Sequence, residues 1–580
     1  MEQRAGRRMV FRLLTGAVLV SGIWLYIQRV PRIDLAARVP ASAIGYLEIN
    51  DWPRLVDQLS ACDAWANLAP VYGIWDKWRY LGKAGWFVRT TGLGTSETIV
   101  GSRAQVAMVL TSLEVRGEEV RPRLALILET HSREGQLRGV IGRRLPQLAR
   151  RAFGETAPEV SEYAGVPVTL FRGASDNRRI LSAQIDGEWI IANHPEAMEA
   201  CLDARLGRVA TLADNFYLQN ARAIVANKAL LFGFVSGDGA TRLIQFGAHV
   251  IGGRLFGDSP LTEALQSLTA EFSAQASNGL AYGMTFEEGQ AVDRYVWLCH
   301  PKMVDQLRSA IRVKESELRL PKVVPASVRE MTIIGVEEPS QAFEAVETII
   351  SSRLGAAQSF IFRRFMLGGR EVLFGLRENE TASSAFGDEL ASVGFGSSSE
   401  ERLWMIAVKD RARLEQLAMR VLSQDRAKIS REVHAGVEVL ISSEERCGAA
   451  AFFSDFLALG ARAPLLRLIE TRKDAVAIAD SPQFISARKP ARAAPIRSFS
   501  SVRDESAAMM ETLARELPRG GARGEPEAAL GRLPFSSSAI SLGERGILME
   551  AYSPFGSLPF IISLFSESQG SGVARRRGDQ

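Results

Sequence analysis

A pattern that recurs in the same order ties a chain to an architecture of two related units, and this sequence carries such a recurrence. Val39-Pro40-Ala41-Ser42, leading into the apolar Ile44–Ile49 and then Pro53, matches Val324-Pro325-Ala326-Ser327, leading into Met331–Ile334 and then Pro339. Tyr163-Ala164-Gly165-Val166 matches His434-Ala435-Gly436-Val437, and Ile190–Glu196 with its His194-Pro195 matches Ala477–Gln483 with its Ser481-Pro482. A fourth pair joins two hairpin patterns, Leu280–Leu298 turning at Glu288-Gly289 and Ile540–Tyr552 turning at Arg545-Gly546. Within each unit strand and helix signals alternate. Leu124–Leu128 reads as a buried strand followed by a helix carrying Leu137, Val140, Ile141, Leu145 and Leu148; Leu403–Val408 is followed likewise by Leu414, Leu417, Ala418 and Val421. Strands joined by hairpins as well as by helices predict an α+β fold with a mostly antiparallel sheet. Ser501-x-x-Asp504 opens a further helix up to Leu517, and residues 486–498 and 519–527 read as irregular.

The N-terminal segment sets the expected compartment. Leu13 to Ile27 carries no charge, follows four Arg, and is about 22 Å long as a helix, or about 28 Å if Met9 to Arg12 join with Arg12 snorkelling. It predicts a single uncleaved signal-anchor helix with the N-terminus cytoplasmic and the body periplasmic or otherwise extracytoplasmic. The nearest small-x-small cleavage pattern, Ala41-Ser42-Ala43, lies too far beyond the apolar core for a signal peptide. The expected organisation is therefore 1–35 as tail, anchor and linker, 36–318 and 319–569 as two α+β units, and 570–580 as a disordered basic tail. The chain has 70 Lys+Arg against 66 Asp+Glu. The whole excess falls in residues 1–35, so the body is neutral and no nucleic-acid surface is implied.

Body segments such as Val39–Asp51 and Ile190–Glu196 resemble those of a loose group of bacterial, single-pass, membrane-anchored proteins of unknown function with duplicated extracytoplasmic domains. The resemblance implies the compartment and the fold type and transfers no catalytic residues.

Chemistry-bearing motifs are absent from the sequence. The five His are well separated, with no HExxH and no Cys-x-x-Cys, so no metal or other cofactor is expected. Gly233-Phe234-Val235-Ser236-Gly237 lacks the spacing of a nucleophile elbow, and Gly82-Lys83-Ala84 lacks the hydroxyl of a phosphate loop. The expectation is a protein without enzymatic activity. Cys62, Cys201 and Cys299 occupy core-like positions, so buried free thiols are expected, with one disulfide as the alternative. The one local enrichment is aromatic and basic: Trp65, Trp75, Trp78 and Trp86 with Lys77, Arg79 and Lys83 form a candidate surface for a protein partner or lipid, against the alternative of core packing. Two functions remain in view. The expected one is a non-enzymatic, membrane-tethered interaction or scaffolding module; the alternative is an extracytoplasmic binder or carrier of an apolar or lipidic ligand between the two units, which an apolar cavity of several hundred Å³ would favour.

Overall fold

A computed structural model describes residues 32–74 and 104–559, less 117–118, 132–134, 155–156, 174–177, 226–228, 257–259, 315, 357, 361, 364–365, 367–381, 397, 424–426, 445–447, 472–475, 488–493, 517–520 and 522–523. The 13–27 run and the 570–580 tail lie outside the described residues. Among those described, no helix is long and apolar enough to cross a membrane. The chain divides into two compact units, residues 1–57 with 77–219 and residues 58–76 with 220–580, and not at residue 318.

The first unit contains β1 (Gly45–Ile49), β2 (Gln105–Arg116), β3 (Glu119–Glu129), β4 (Glu159–Tyr163), β5 (Val166–Arg172), β6 (Arg179–Ile185) and β7 (Glu188–Ala192). They pair antiparallel in the order β1-β2-β3-β7-β6-β5-β4. The helices to this point are α1 (Trp52–Ala61), α2 (Asp63–Leu68), α3 (Gly135–Phe153), α4 (Pro195–Arg205) and α5 (Phe216–Val225). α4 starts where its sequence says it should. Pro195 needs no N–H partner in the first turn, His194 Nδ1 accepts from the Glu196 N–H, and Ala197, Met198, Cys201 and Leu202 form its buried face.

In the second unit, β8 (Leu231–Ser236) leads through α6 (Gly237–Phe256) and α7 (Pro260–Ala276) to the hairpin β9 (Ser277–Glu287) and β10 (Gln290–Cys299). After α8 (Pro301–Ala310) come β11 (Glu330–Gly335), α9 (Pro339–Ser351), β12 (Phe386–Gly394), β13 (Arg402–Val408), α10 (Arg411–Leu422), β14 (Ile429–His434), β15 (Val437–Ser442), β16 (Ala449–Phe453) and β17 (Phe456–Gly460). The chain closes through α11 (Arg462–Thr471), α12 (Pro482–Ile485), β18 (Ile496–Ser500), α13 (Arg503–Glu516), α14 (Pro526–Leu530), β19 (Ser536–Leu542) and β20 (Gly546–Ser553). The antiparallel order is β8-β9-β10-β20-β19-β18-β11-β12-β13-β17-β16-β15-β14. Helices cover both faces of this sheet: Leu414, Leu417 and Leu422 of α10 pack with Leu440 and Leu457, while Leu465 and Leu468 of α11 pack with Leu403 and Met405. Burial on both faces explains why β16 and β17 are nearly continuous apolar runs. The fold is α+β. Residues 496–498, expected as irregular, begin β18 instead.

Strands β11 to β17 follow the same order as β1 to β7, and the register agrees: Ile49 faces Val106 as Ile334 faces Leu390. Pro40 bridges to Thr211 and Pro325 to Ala477; the Ala41 N–H donates to Ala210 O and the Ala326 N–H to Val476 O, each at 2.9 Å. At the β4–β5 turn Ala164 and Gly165 have φ of 55° and 85°, and at β14–β15 Ala435 and Gly436 have 48° and 82°. Gln105 and Glu389 also occupy matching register positions, and each holds the backbone leading into its half: Gln105 bonds Ile33, and Glu389 accepts from the N–H groups of Arg319 and Leu320. One expected correspondence fails. Ile190–Ala192 is β7, whereas Ile478–Asp480 is a 3-10 turn whose counterpart is the 3-10 turn Leu212–Asp214. Pro195 and Pro482 therefore open different helices.

Candidate functional site

The strands at the middle of the second unit lay an apolar floor. Trp297 of β10 stands opposite Ile547 of β20, which stands opposite Leu542 of β19; in a neighbouring row Ile540 faces Ile496 of β18, which faces Ile334 of β11. Side chains alternate between the faces of a strand, so these residues reach one side because of their parity. Above them lie α8 and α9. Met303, Leu307 and Ile311 recur every four residues along and just beyond α8, and Pro339, Ala342, Phe343, Val346, Ile349 and Ile350 form the apolar stripe of α9.

The floor and the two helices do not meet completely. They leave a cavity of about 350 Å³, walled further by Phe272, Val336 and Pro495, and every lining side chain is apolar apart from the indole N–H of Trp297. That nitrogen is buried without a partner, and the indole meets Phe272 edge to face with ring centroids 6.1 Å apart. Phe343 is 41% exposed although it lines the cavity, which places it at a lip toward solvent. Residues on both sides of position 318 build the walls: 272–311 before it and 334–547 after it. Cys299, behind the wall, is a free thiol whose pKa burial pushes up to about 12, which makes it inert as a nucleophile at neutral pH.

The polar clusters outside the cavity hold the fold together. Lys314 contacts Glu389 at 2.6 Å and Asp388 at 2.7 Å. Glu188, at the start of β7, receives Arg38 at 3.0 Å and Arg205 at 2.9 Å; burial still raises its pKa despite these two cations. Ser236, inside the expected near-miss to a nucleophile elbow, accepts from the Gly239 N–H at 3.1 Å as a helix cap. Among the described residues no group of three or more His, Cys, Asp or Glu could hold a metal ion.

Of the aromatic and basic surface expected near the N-terminus, Trp75, Trp78, Trp86, Lys77, Arg79 and Lys83 lie outside the described residues. Trp65 is buried in α2 at 8% exposure, and its backbone N–H donates to Cys62 Sγ at 3.4 Å. It is not available as a contact residue, because Ala64, Trp65 and Leu68 form the buried side of that helix. Cys62 and Cys201 are free and buried like Cys299, with thiol pKa values pushed up by burial to about 11 and about 12; Cys447 lies outside the described residues. Sequence reading picked out none of the cavity residues as functional. Most sit at ordinary core positions of helices and strands, while Pro495 and Ile496 fall in a stretch that reads as irregular, and nothing in the pattern shows that these elements meet above one patch of sheet.

No family model, curated protein or solved structure matches the chain.

Proposed function

We propose that this protein is a membrane-tethered, extracytoplasmic binder of an apolar chain, built by tandem duplication of an α+β unit and without catalytic activity of its own. The observation that carries the reading is the cavity of about 350 Å³ with apolar walls. Its volume lies at the lower end of the range for small-molecule sites, about 300–1,000 Å³, which suits one hydrocarbon chain better than a ring system with polar substituents. Each methylene removed from water contributes about 0.8 kcal/mol, so a short acyl chain gains enough to offset part of the cost of association. A scaffold without a ligand would be expected to close its core at this point. The matching strand orders and Val-Pro-Ala bridges support the duplication, and the charge-flanked 13–27 run supports the tether.

The test is photolabelling of the full chain with a dodecanoic acid that carries a terminal diazirine. Label is expected in the peptides bearing Trp297, Leu307 or Val346, competed by excess unlabelled dodecanoate. Ala342→Trp, which fills the space under α9, should cut the labelling at least tenfold while the melting temperature holds or rises. Labelling that is not competed, or that is equal in the variant, excludes the cavity as a ligand site.

A further inference from the structure

A second feature lies on the surface of the first unit. In the first unit, the stretch of chain from 206 to 217 exposes Leu206 (38%), Val209 (42%), Phe216 (68%) and Tyr217 (36%). Large apolar side chains exposed singly on a surface need no explanation, but four fall within twelve residues here, and two of them are an aromatic pair at the start of α5. The stretch is held in place. Asn215 Oδ1 accepts from the N–H groups of Tyr217 at 2.9 Å and Leu218 at 3.2 Å, capping α5, and the rings of Phe216 and Tyr217 meet edge to face at 5.6 Å. Arg208, within the same loop, keeps a half-exposed side chain and reaches Asp203 only at 3.7 Å.

The position of the loop along the chain identifies what covers it. The loop is bonded to the first residues of the body: Leu212 N–H donates to Val39 O at 2.8 Å, and Ala41 N–H donates to Ala210 O at 2.9 Å. Upstream, Gln105 fixes Ile33 at 2.9 Å through both its N–H and its carbonyl. From Ile27, the last residue of the apolar run, to Ile33 the chain spans at most about 20 Å. From Ile33 to Val39 it includes the 3-10 turn Leu35–Arg38, which rises only about 2 Å per residue. Resting on the reading of 13–27 as a membrane anchor, we propose that the 206–217 loop seats the body on the bilayer surface, with Phe216, Tyr217, Val209 and Leu206 in the boundary between headgroups and acyl chains. Phe, Tyr and Leu are side chains suited to that boundary, and Arg208 beside them suits anionic headgroups.

The corresponding loop of the second unit supplies the comparison. Val476, whose carbonyl accepts from Ala326, and Ile485 are exposed there at 58% and 62%, without an aromatic pair. The experiment uses the full chain in phosphatidylethanolamine–phosphatidylglycerol vesicles, with Cys447→Ser as background because Cys62, Cys201 and Cys299 are buried. An environment-sensitive fluorophore is placed at Phe216→Cys, at Val209→Cys or at Val476→Cys. Lipids spin-labelled near the headgroup should quench the labels at 216 and 209 at least twofold more than the label at 476. Floating protein with unquenched labels at 216 and 209 overturns the proposal and leaves the anchor standing, and quenching at 476 equal to that at 216 overturns it as well. A chain that does not float with the vesicles removes the anchor and this proposal together.

Discussion

Asp293 is buried, and no cation among the described residues pairs with it. Its oxygens accept from the hydroxyls of Tyr282 at 2.8 Å and Ser557 at 3.1 Å, and burial holds its pKa above the usual carboxylate value in spite of these bonds. A folded-state pKa raised above the unfolded one gives stability that is fully present below the unfolded pKa, about 3.9, and is lost as the pH rises through the folded value. Asp293→Asn keeps the shape and removes the titration. The urea midpoint of the wild type should therefore fall relative to that of the variant as the pH rises above about 4, and the difference between the two should stop changing in acid below that pH. A wild type that gains on the variant as the pH rises would mean that the hydroxyls stabilise the anion outright. Such a site cannot be read from sequence, because Asp293 sits in an alternating strand like any solvent-facing carboxylate; only the packing of residues 555–557 over it shows that it is covered.

At the scale of elements, the two hairpin turns β4–β5 and β14–β15 isolate a backbone effect. Gly165 and Gly436 have left-handed φ of 85° and 82°, and a Cβ added at either would meet nothing within 4 Å. Gly165→Ala and Gly436→Ala should each cost about 1 kcal/mol, all of it from the backbone. Ala164→Asn and Ala435→Asn, at φ of 55° and 48°, should instead gain a few tenths of a kcal/mol, since Asn tolerates this region better. Chemical denaturation of the four variants checks both signs, and an unchanged glycine variant would contradict the turn geometry. These turns were legible because a turn of this type demands Gly at a fixed place, and the Val-Pro-Ala segments were legible for a similar reason. The match of His194-Pro195 to Ser481-Pro482 misled because helix starts converge on one chemistry, a capping side chain followed by proline, whichever element lies upstream. The true counterpart of Ile478-Ala479-Asp480 is Leu212-Ala213-Asp214, which carries no proline to mark it.

For the whole molecule, periodicity and recurrence made the α+β class and most strands readable, while the cavity stayed hidden. A residue's pattern says that it turns inward and cannot say whether the element opposite reaches it. The recurrence also suggested a division at residue 318 that the strand pairing does not respect. Ala291 to Leu298 of β10 pair with Ser553 to Gly546 of β20, and α8 packs with α9 above the cavity, so the segments on either side of 318 share one ladder and one core. An engineered protease site at Ser316, in the charged stretch between α8 and β11, tests this directly. After cleavage the two fragments should migrate as one particle in gel filtration, keep the competed photolabelling of the cavity walls, and part only in denaturant, because separation would expose the β20 edge and the apolar faces of α8 and α9 together. Fragments that separate on cleavage while each keeps a cooperative unfolding transition would show that the halves are independent domains and that the cavity is not part of a shared core.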